Sequence, residues 1–231
     1  MNVAYCANCI EALRKLPDKQ IDLLIADPPY FSGPEKRGYY GGKVSKIGVH
    51  RDYPVSPAWK VPTAADFEIL LRKARYYIVF GCNYFCDTKF ARGRIVWDKV
   101  NGSSSFSDAE IAATNLFDSV RLFRYMWNGM LQGKSITEGH IQQGNKRLNE
   151  KRIHPTQKPI ALYEWIISTY AKCGWTICDP HLGSGSSRIA AARLEFDFVG
   201  YEKNKYYFDQ QEQRYQNEMS QTCLFRGDDY T

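Results

Sequence analysis

Trp175-Thr176-Ile177-Cys178, then Asp179-Pro180-His181-Leu182-Gly183-Ser184-Gly185-Ser186, then Ile189-Ala190-Ala191-Ala192 is the stretch that decides the fold. A short apolar run stops at Asp-Pro, passes through two glycines and opens into an alanine-rich helix. Glycines at such a turn let a ligand approach the backbone closely. Glu202 lies 17 residues beyond Gly185, at the end of the next apolar run, Phe196–Tyr201, where a carboxylate can grip a ribose diol. Strand, glycine turn, helix, strand and acid together suit a ligand that contains a nucleoside. A nicotinamide dinucleotide is the rival, but Arg188 stands where the dinucleotide fingerprint has its third glycine.

Outward from this unit, further runs rich in β-branched and aromatic residues read as strands: Val3–Tyr5, Ile21–Ala26, Tyr76–Phe80, Arg94–Trp97 and Val120–Trp127. Between them, Ile10, Leu13 and Leu16 share one helix face before Pro17, and Ala65–Ala74 and Ile160–Ala171 are amphipathic. The alternation predicts an α/β fold with a mostly parallel sheet and helices on both faces. Two stretches resist it. Ser32–Pro62 is rich in Gly and Pro and carries Arg37, Lys43, Lys46 and Arg51; Asn128–Arg152 is polar and carries Lys134, Lys146, Arg147, Lys151 and Arg152. Loops of this length in a compact domain are functional or disordered, and a solvated loop is the plain alternative.

The 231 residues suit one domain, or one with a small appendage. With 31 Lys and Arg against 25 Asp and Glu, the charge of +6 permits an anionic partner without demanding one. A composition 44% hydrophobic and 24% charged is that of a folded globular chain. No apolar stretch approaches a membrane span, and Met1–Tyr5 lacks the regions of a secretory signal, so a cytoplasmic location is expected. Of the seven cysteines, only Cys6-x-x-Cys9 has a metal-like or redox-like spacing, and no second pair completes a site. Reduced cysteines and no metal are the expectation.

Two more motifs carry chemistry. Asp27-Pro28-Pro29-Tyr30 follows the run Ile21–Ala26, and the end of a strand is where α/β sheets bind ligands. The prolines stiffen the turn, aiming the Asp27 carboxylate and nearby carbonyls, which only accept hydrogen bonds and so suit a substrate NH2. Tyr30 offers a flat face to a planar ring. His154-Pro155-Thr156-Gln157-Lys158-Pro159 precedes the run Ile160–Ala171, where Pro159 suits a first helical turn. A proline turn and a plain helix start are the alternatives for these two.

Asp-Pro-Pro-Tyr, His-Pro-Thr-Gln-Lys-Pro and Asp-Pro-x-x-Gly-x-Gly, in that order, resemble the S-adenosylmethionine-dependent DNA amino-methyltransferases. With the catalytic motif before the cofactor loop, the order is that of their permuted β class. Trp97-Asp98-Lys99, Ser105-Phe106-Ser107-Asp108 with Glu110, and Phe198–Glu202 fit as well, so the resemblance covers nearly the whole chain. It departs where the family carries Gly-Asp-Cys, here Ala7-Asn8-Cys9, and where it often carries Phe, here His181.

The resemblance implies a Rossmann-like methyltransferase fold with circularly permuted motif order, and adenine-N6 methylation of a flipped-out base in double-stranded DNA. Asp27, Pro28, Pro29 and Tyr30 would be catalytic. S-adenosylmethionine would be held by Asn8, Asp27, Thr156, Lys158, Asp179, His181, Gly183, Gly185, Ser186 and Glu202. Residues 128–153 would form a small target-recognition insert, with Lys134, Arg147, Lys151 and Arg152 on DNA. Cytosine-N4 methylation and a non-catalytic nucleic-acid-binding domain are the alternatives; Asp at position 27, where cytosine enzymes more often have Ser, favours adenine. The host would be a bacterial or phage-infected cell, whether the enzyme is paired with a nuclease or stands alone. A second copy of the chain is a further candidate partner. Residues 220–231 are expected as a tail after the last helix, in which Gln221, Leu224 and Phe225 resemble the peptide that docks on the bacterial sliding clamp.

Overall fold

The computed structural model describes residues 1–31, 59–102, 107–128 and 131–226, with side chains through Ser220. Of the loop Ser32–Pro62, only Trp59, Lys60, Val61 and Pro62 fall among them; Arg37, Lys43, Lys46 and Arg51, like Ser105 and Phe106, lie outside the described residues.

Among the described residues, ten strands and five α-helices form the frame: β1 Asn2–Tyr5, α1 Cys9–Arg14, β2 Ile21–Ala26, α2 Ala64–Lys73, β3 Ala74–Phe80, β4 Gly93–Asp98, β5 Ala109–Thr114, β6 Val120–Arg124, β7 Trp127–Asn128, β8 Leu131–Gln132, α3 Ile160–Tyr170, β9 Thr176–Asp179, α4 Ser186–Arg193, β10 Asp197–Tyr201 and α5 Lys205–Arg226. Eight strands build one sheet in the order β1-β10-β9-β2-β3-β5-β4-β6. Only β5 runs against its neighbours; every other pairing in this sheet is parallel. The mostly parallel sheet of the sequence reading is present.

Parallel sheets covered on both faces need apolar side chains on both, which is why β2 reads as an unbroken run. Leu23 and Ile25 point into one core with Ile78, Phe80, Ile166 and Ile189. Leu24 and Ala26 point into the other, with Leu13, Phe67, Leu70 and Val79. Helices α1 and α2 therefore cover one face, and α3 and α4 the other.

The chain winds from β2 through α2 to β3 on one side, and from β9 through α4 to β10 on the other. Strands β2 and β9 are parallel neighbours, with Leu24 opposite Cys178. This is the point where strand order reverses, and the carboxyl ends of such a pair open a crevice. Asp27 and the turn after Asp179 both stand at it.

Three boundaries differ from the sequence reading. The run Val120–Trp127 divides into β6 and β7, because β6 is an edge strand that stops once its partner β4 ends. Strand β5, Ala109–Thr114, was not foreseen: Ala-Glu-Ile-Ala-Ala-Thr lacks strand composition and extends because it is held between β3 and β4. Helix α5 continues to Arg226, so Gln221, Leu224 and Phe225 are helical rather than in an extended tail. That corrects the geometry on which a clamp-docking peptide rested.

Candidate active site

Helix start signals place the first elements of the site. Asn8 caps α1, its Oδ1 accepting from Ile10 N at 3.0 Å while its Nδ2 donates to Glu11. Its side chain thus does the work of a helix cap at the cavity wall. Thr63 and Asp66 form a reciprocal capping box that starts α2. On the far side of the sheet, Ile160 N at the start of α3 donates to the Glu150 carboxylate at 2.8 Å.

These elements surround a cavity of about 1390 Å³ at the carboxyl edge of the sheet. One half is lined by Asn8, His181, Gly183 and Glu202, the other by Asp27, Pro28, Pro29, Tyr30, Glu110 and Lys158. Residues from three motifs far apart in sequence meet in one space.

The second half holds a chain of alternating charges. Lys158 Nζ lies 2.5 Å from Asp27 Oδ1 and 2.7 Å from Glu110 Oε2. Lys99 Nζ lies 2.5 Å from Glu110 Oε1. The Tyr30 hydroxyl donates to Asp27 Oδ1 at 2.7 Å and accepts from Lys158 at 3.2 Å. Asp27 Oδ2 has no partner among the described residues. Burial disfavours the Lys158 ammonium, but the facing Asp27 and Glu110 carboxylates outweigh it and hold its pKa above the ordinary lysine value. Burial raises Asp27, with Lys158 pulling the other way. Glu110, equally buried, is held well below the usual carboxylate range by two lysines, Lys158 and Lys99. Burial and the Asp27 carboxylate keep Tyr30 a neutral phenol.

Tyr30 is also fixed from behind. Gly81, at φ +67° after β3, brings backbone against its ring, and Tyr84 stacks on one face with centroids 4.9 Å apart.

In the first half, the Glu202 carboxylate accepts from Gly183 N at 3.0 Å and from Asn204 N at 2.7 Å. Burial raises its pKa, with the Asn204 and Gly183 amides opposing. Asp179 is 1% exposed and braces the turn from beneath, accepting from His181 N at 2.9 Å and Ser187 Oγ at 2.5 Å. Burial lifts it to about 7. Burial lowers the His181 imidazole to about 4, so it is neutral near pH 7, and its Nδ1 is buried without a hydrogen-bond partner. Cys9 Sγ sits 4.0 Å from His181 Nε2, and burial pushes this thiol up to about 12, against a thiolate role for Cys6-x-x-Cys9.

The geometry redistributes several residues expected at the cofactor. Ser186 donates to the Lys158 carbonyl at 2.8 Å and accepts from Arg214 at 2.9 Å; its hydroxyl ties α4 to the Lys158 segment and does not line the cavity. Gly185 caps α4 in the left-handed region facing Gln211, away from the cavity. Its φ of +75°, not ligand approach, requires glycine there. Thr156 lines the cavity and bonds to His154 Nδ1, while His154 stacks on Trp59. Lys158 reaches the Asp27 half rather than the Glu202 half. Gln157, not foreseen as a determinant, is 5% exposed and organises its own segment, accepting from Ile153 N and donating to Lys151 O.

Among the basic residues of the insert, Arg147 and Lys151 are exposed, and Lys134 pairs with Glu138 at 2.8 Å. Arg152 departs from the expectation: it is half-buried, stacked over Trp127 at 4.3 Å on the cavity wall. Glu110 and Lys99 are the functional candidates that sequence reasoning passed over. They were quoted only as part of a resemblance, and nothing local sets them apart from surface charges.

A family profile described as DNA methylase matches residues 121–213, across the Lys158 segment, the Asp179 turn and Glu202. Over that stretch the chain is similar to DNA methylases. Over 244 residues it is 26% identical to the type II methyltransferase M.HpaI of Haemophilus parainfluenzae, covering 93% of this chain and 74% of that one. Its fold matches the M1.HpyAVI–SAM complex with a TM-score of 0.54 at 22% identity, covering 93% of this chain and all of the other. The cytosine-N4-specific PvuII DNA methyltransferase matches with a TM-score of 0.54 at 14% identity, over 90% and 84% of the two chains. The fold is that of the Rossmann-like methyltransferases. No helix among the described residues is long and apolar enough to cross a membrane.

Proposed function

We propose that this protein is a methyltransferase that transfers a methyl group to N6 of an adenine flipped out of double-stranded DNA. The observation that carries the reading is Asp27: Lys158 and Tyr30 both occupy Oδ1, leaving Oδ2 for a substrate amine in the same cavity as Glu202. The methyl donor is S-adenosylmethionine. The residues present fit it: a carboxylate at the end of β10, a left-handed Gly183 at φ +52°, and the unpartnered His181 Nδ1. When bound, the donor supplies an electrophilic methyl on a sulfonium.

The protein's part is to activate and aim the amine. Its lone pair is delocalised into the base ring, so the nitrogen is a poor nucleophile. Hydrogen bonds from the amine to Asp27 Oδ2 and the Pro28 carbonyl localise that pair and point it toward the donor half. They strengthen as positive charge grows on nitrogen, so they act on the transition state. Pro28 and Pro29 keep these acceptors in place at little entropic cost. Tyr30 holds Oδ1 and gives one ring face to the extruded base. The insert at residues 128–153, anchored by reciprocal Gln132–Glu150 bonds, presents Arg147 and Lys151 to the phosphates. The same acceptors would serve cytosine N4, and Asp27 favours adenine over it.

The test is transfer of labelled methyl from S-adenosylmethionine to DNA, followed by digestion to nucleosides. N6-methyl-2′-deoxyadenosine is expected, and lost in Asp27→Ala. N4-methylcytosine would overturn the choice of base, and absence of transfer would overturn the activity.

A further inference from the structure

Lys99, Glu110, Lys158 and Asp27 form an unbroken alternating chain of two ammoniums and two carboxylates whose charges cancel. They come from the residue after β4, from β5, from the turn before α3 and from the turn after β2. Lys158 is 4% exposed on its side chain, and Glu110 is 19% exposed. Paired buried charges of this kind are costly to desolvate, and replacement by apolar residues is often neutral for stability. Stability alone therefore gives little reason for Glu110 and Lys99.

Resting on the function proposed above, we infer that Glu110 is a positioning residue for methyl transfer: it holds Lys158 onto Asp27 Oδ1 and keeps the cluster neutral beside the amine that becomes positive. Without Glu110, Lys158 has Asp27 as its only carboxylate and is free to bridge both oxygens, closing Oδ2 to the substrate. The cluster then carries a net positive charge where the reaction develops another. Both effects weigh on the transition state more than on the bound substrates. Glu110 does not touch the substrate in this arrangement; it acts through Lys158.

The experiment is a charge-balance cycle on the full chain with DNA and S-adenosylmethionine. Glu110→Gln should lower the single-turnover rate at least 100-fold while leaving the dissociation constant of S-adenosylmethionine within about threefold. Adding Lys99→Met restores neutrality, and the double variant should recover at least tenfold of that loss. A merely structural Glu110 predicts no recovery, because the second substitution removes another buried partner.

A pH profile of the double variant keeps the question open to test even where Glu110→Gln alone does not fold. The charged and titratable groups facing Asp27 are Lys158 and Tyr30, with Glu110 across Lys158, Tyr163 on α3 and Asp179 on β9. Loss of the Glu110 charge lets Lys158 favour ionised Asp27, so the acid limb should move down by about one pH unit. No recovery in the double variant, or an unmoved acid limb, overturns the role of Glu110. Absence of any methyl transfer by the unaltered protein overturns the site reading itself, and this inference with it.

Discussion

Gly81→Ala tests the site through a residue that has no chemistry of its own. Gly81 sits at φ +67°, where an L side chain costs about 1–2 kcal/mol. An added Cβ would lie 2.1 Å from Tyr30 Cε1, against ordinary contact at 3.4–4 Å, so the ring must withdraw by more than 1 Å. Overpacking of this kind costs about 1–3 kcal/mol more. At this chain length the two together should lower Tm by roughly 4–20 °C. The displacement breaks the 2.7 Å bond from Tyr30 to Asp27 and frees Oδ1. A misplacement of about 1 Å at reacting groups is worth on the order of 100-fold in rate. The assay is single-turnover methyl transfer to DNA beside a thermal melt and calorimetric binding of S-adenosylmethionine. Gly174→Ala is the control, with φ +82° and nothing within 4 Å of its added Cβ; it should lose stability and keep its rate. A folded Gly81→Ala protein with a rate within threefold of the unaltered one would refute the claim that Tyr30 must hold Asp27.

Glu202→Ala removes the carboxylate shared by Gly183 N and Asn204 N; the dissociation constant of S-adenosylmethionine should rise at least tenfold, about 1.4 kcal/mol, and equal affinity by calorimetry would place the ribose elsewhere. His181→Phe addresses acid stability. The imidazole titrates at about 4 when folded and near 6.5 unfolded, so between those values the unfolded chain holds the extra proton and stability falls as pH falls. The variant should lose up to about 3 kcal/mol of that dependence, seen as a flatter curve of denaturant midpoint against pH from 6.5 to 4. Charge reversal at Arg147 and Lys151 should weaken DNA binding and reduce the slope of log K against log salt by roughly 2; an unchanged slope would mean these side chains meet no phosphate.

Much of this protein follows from local sequence. Asp27-Pro28-Pro29-Tyr30 and the Asp179 turn each follow an apolar run, so their place at strand ends could be read before any tertiary structure was in hand. The parallel sheet could be read likewise, because β2, β3, β9 and β10 carry apolar side chains on both faces. Glu202 was legible from its spacing to the glycines. Gly185 and Ser186 were legible as part of a turn, but not their direction: which side of a helix start meets a ligand depends on what packs behind it, here Arg214 and Gln211 of α5. Arg152 reads as one more basic loop residue until Trp127 is found beneath it.

Glu110 shows the limit most clearly. Strand β5 is alanine-rich, and only its neighbours make it a strand. Because it runs against them, its first residues reach the same sheet edge as the last residues of β3 and β4. That reversal brings Glu110 to Lys158, 48 positions later in the chain, and through it to Asp27. The sequence by itself determined the motifs, their strand-end positions and the kind of ligand they suit, since these rest on local backbone geometry and side-chain type. Only the tertiary structure decided which charges face one another. Electrostatic pairing depends on distance in space, and a sequence records distance only along the chain.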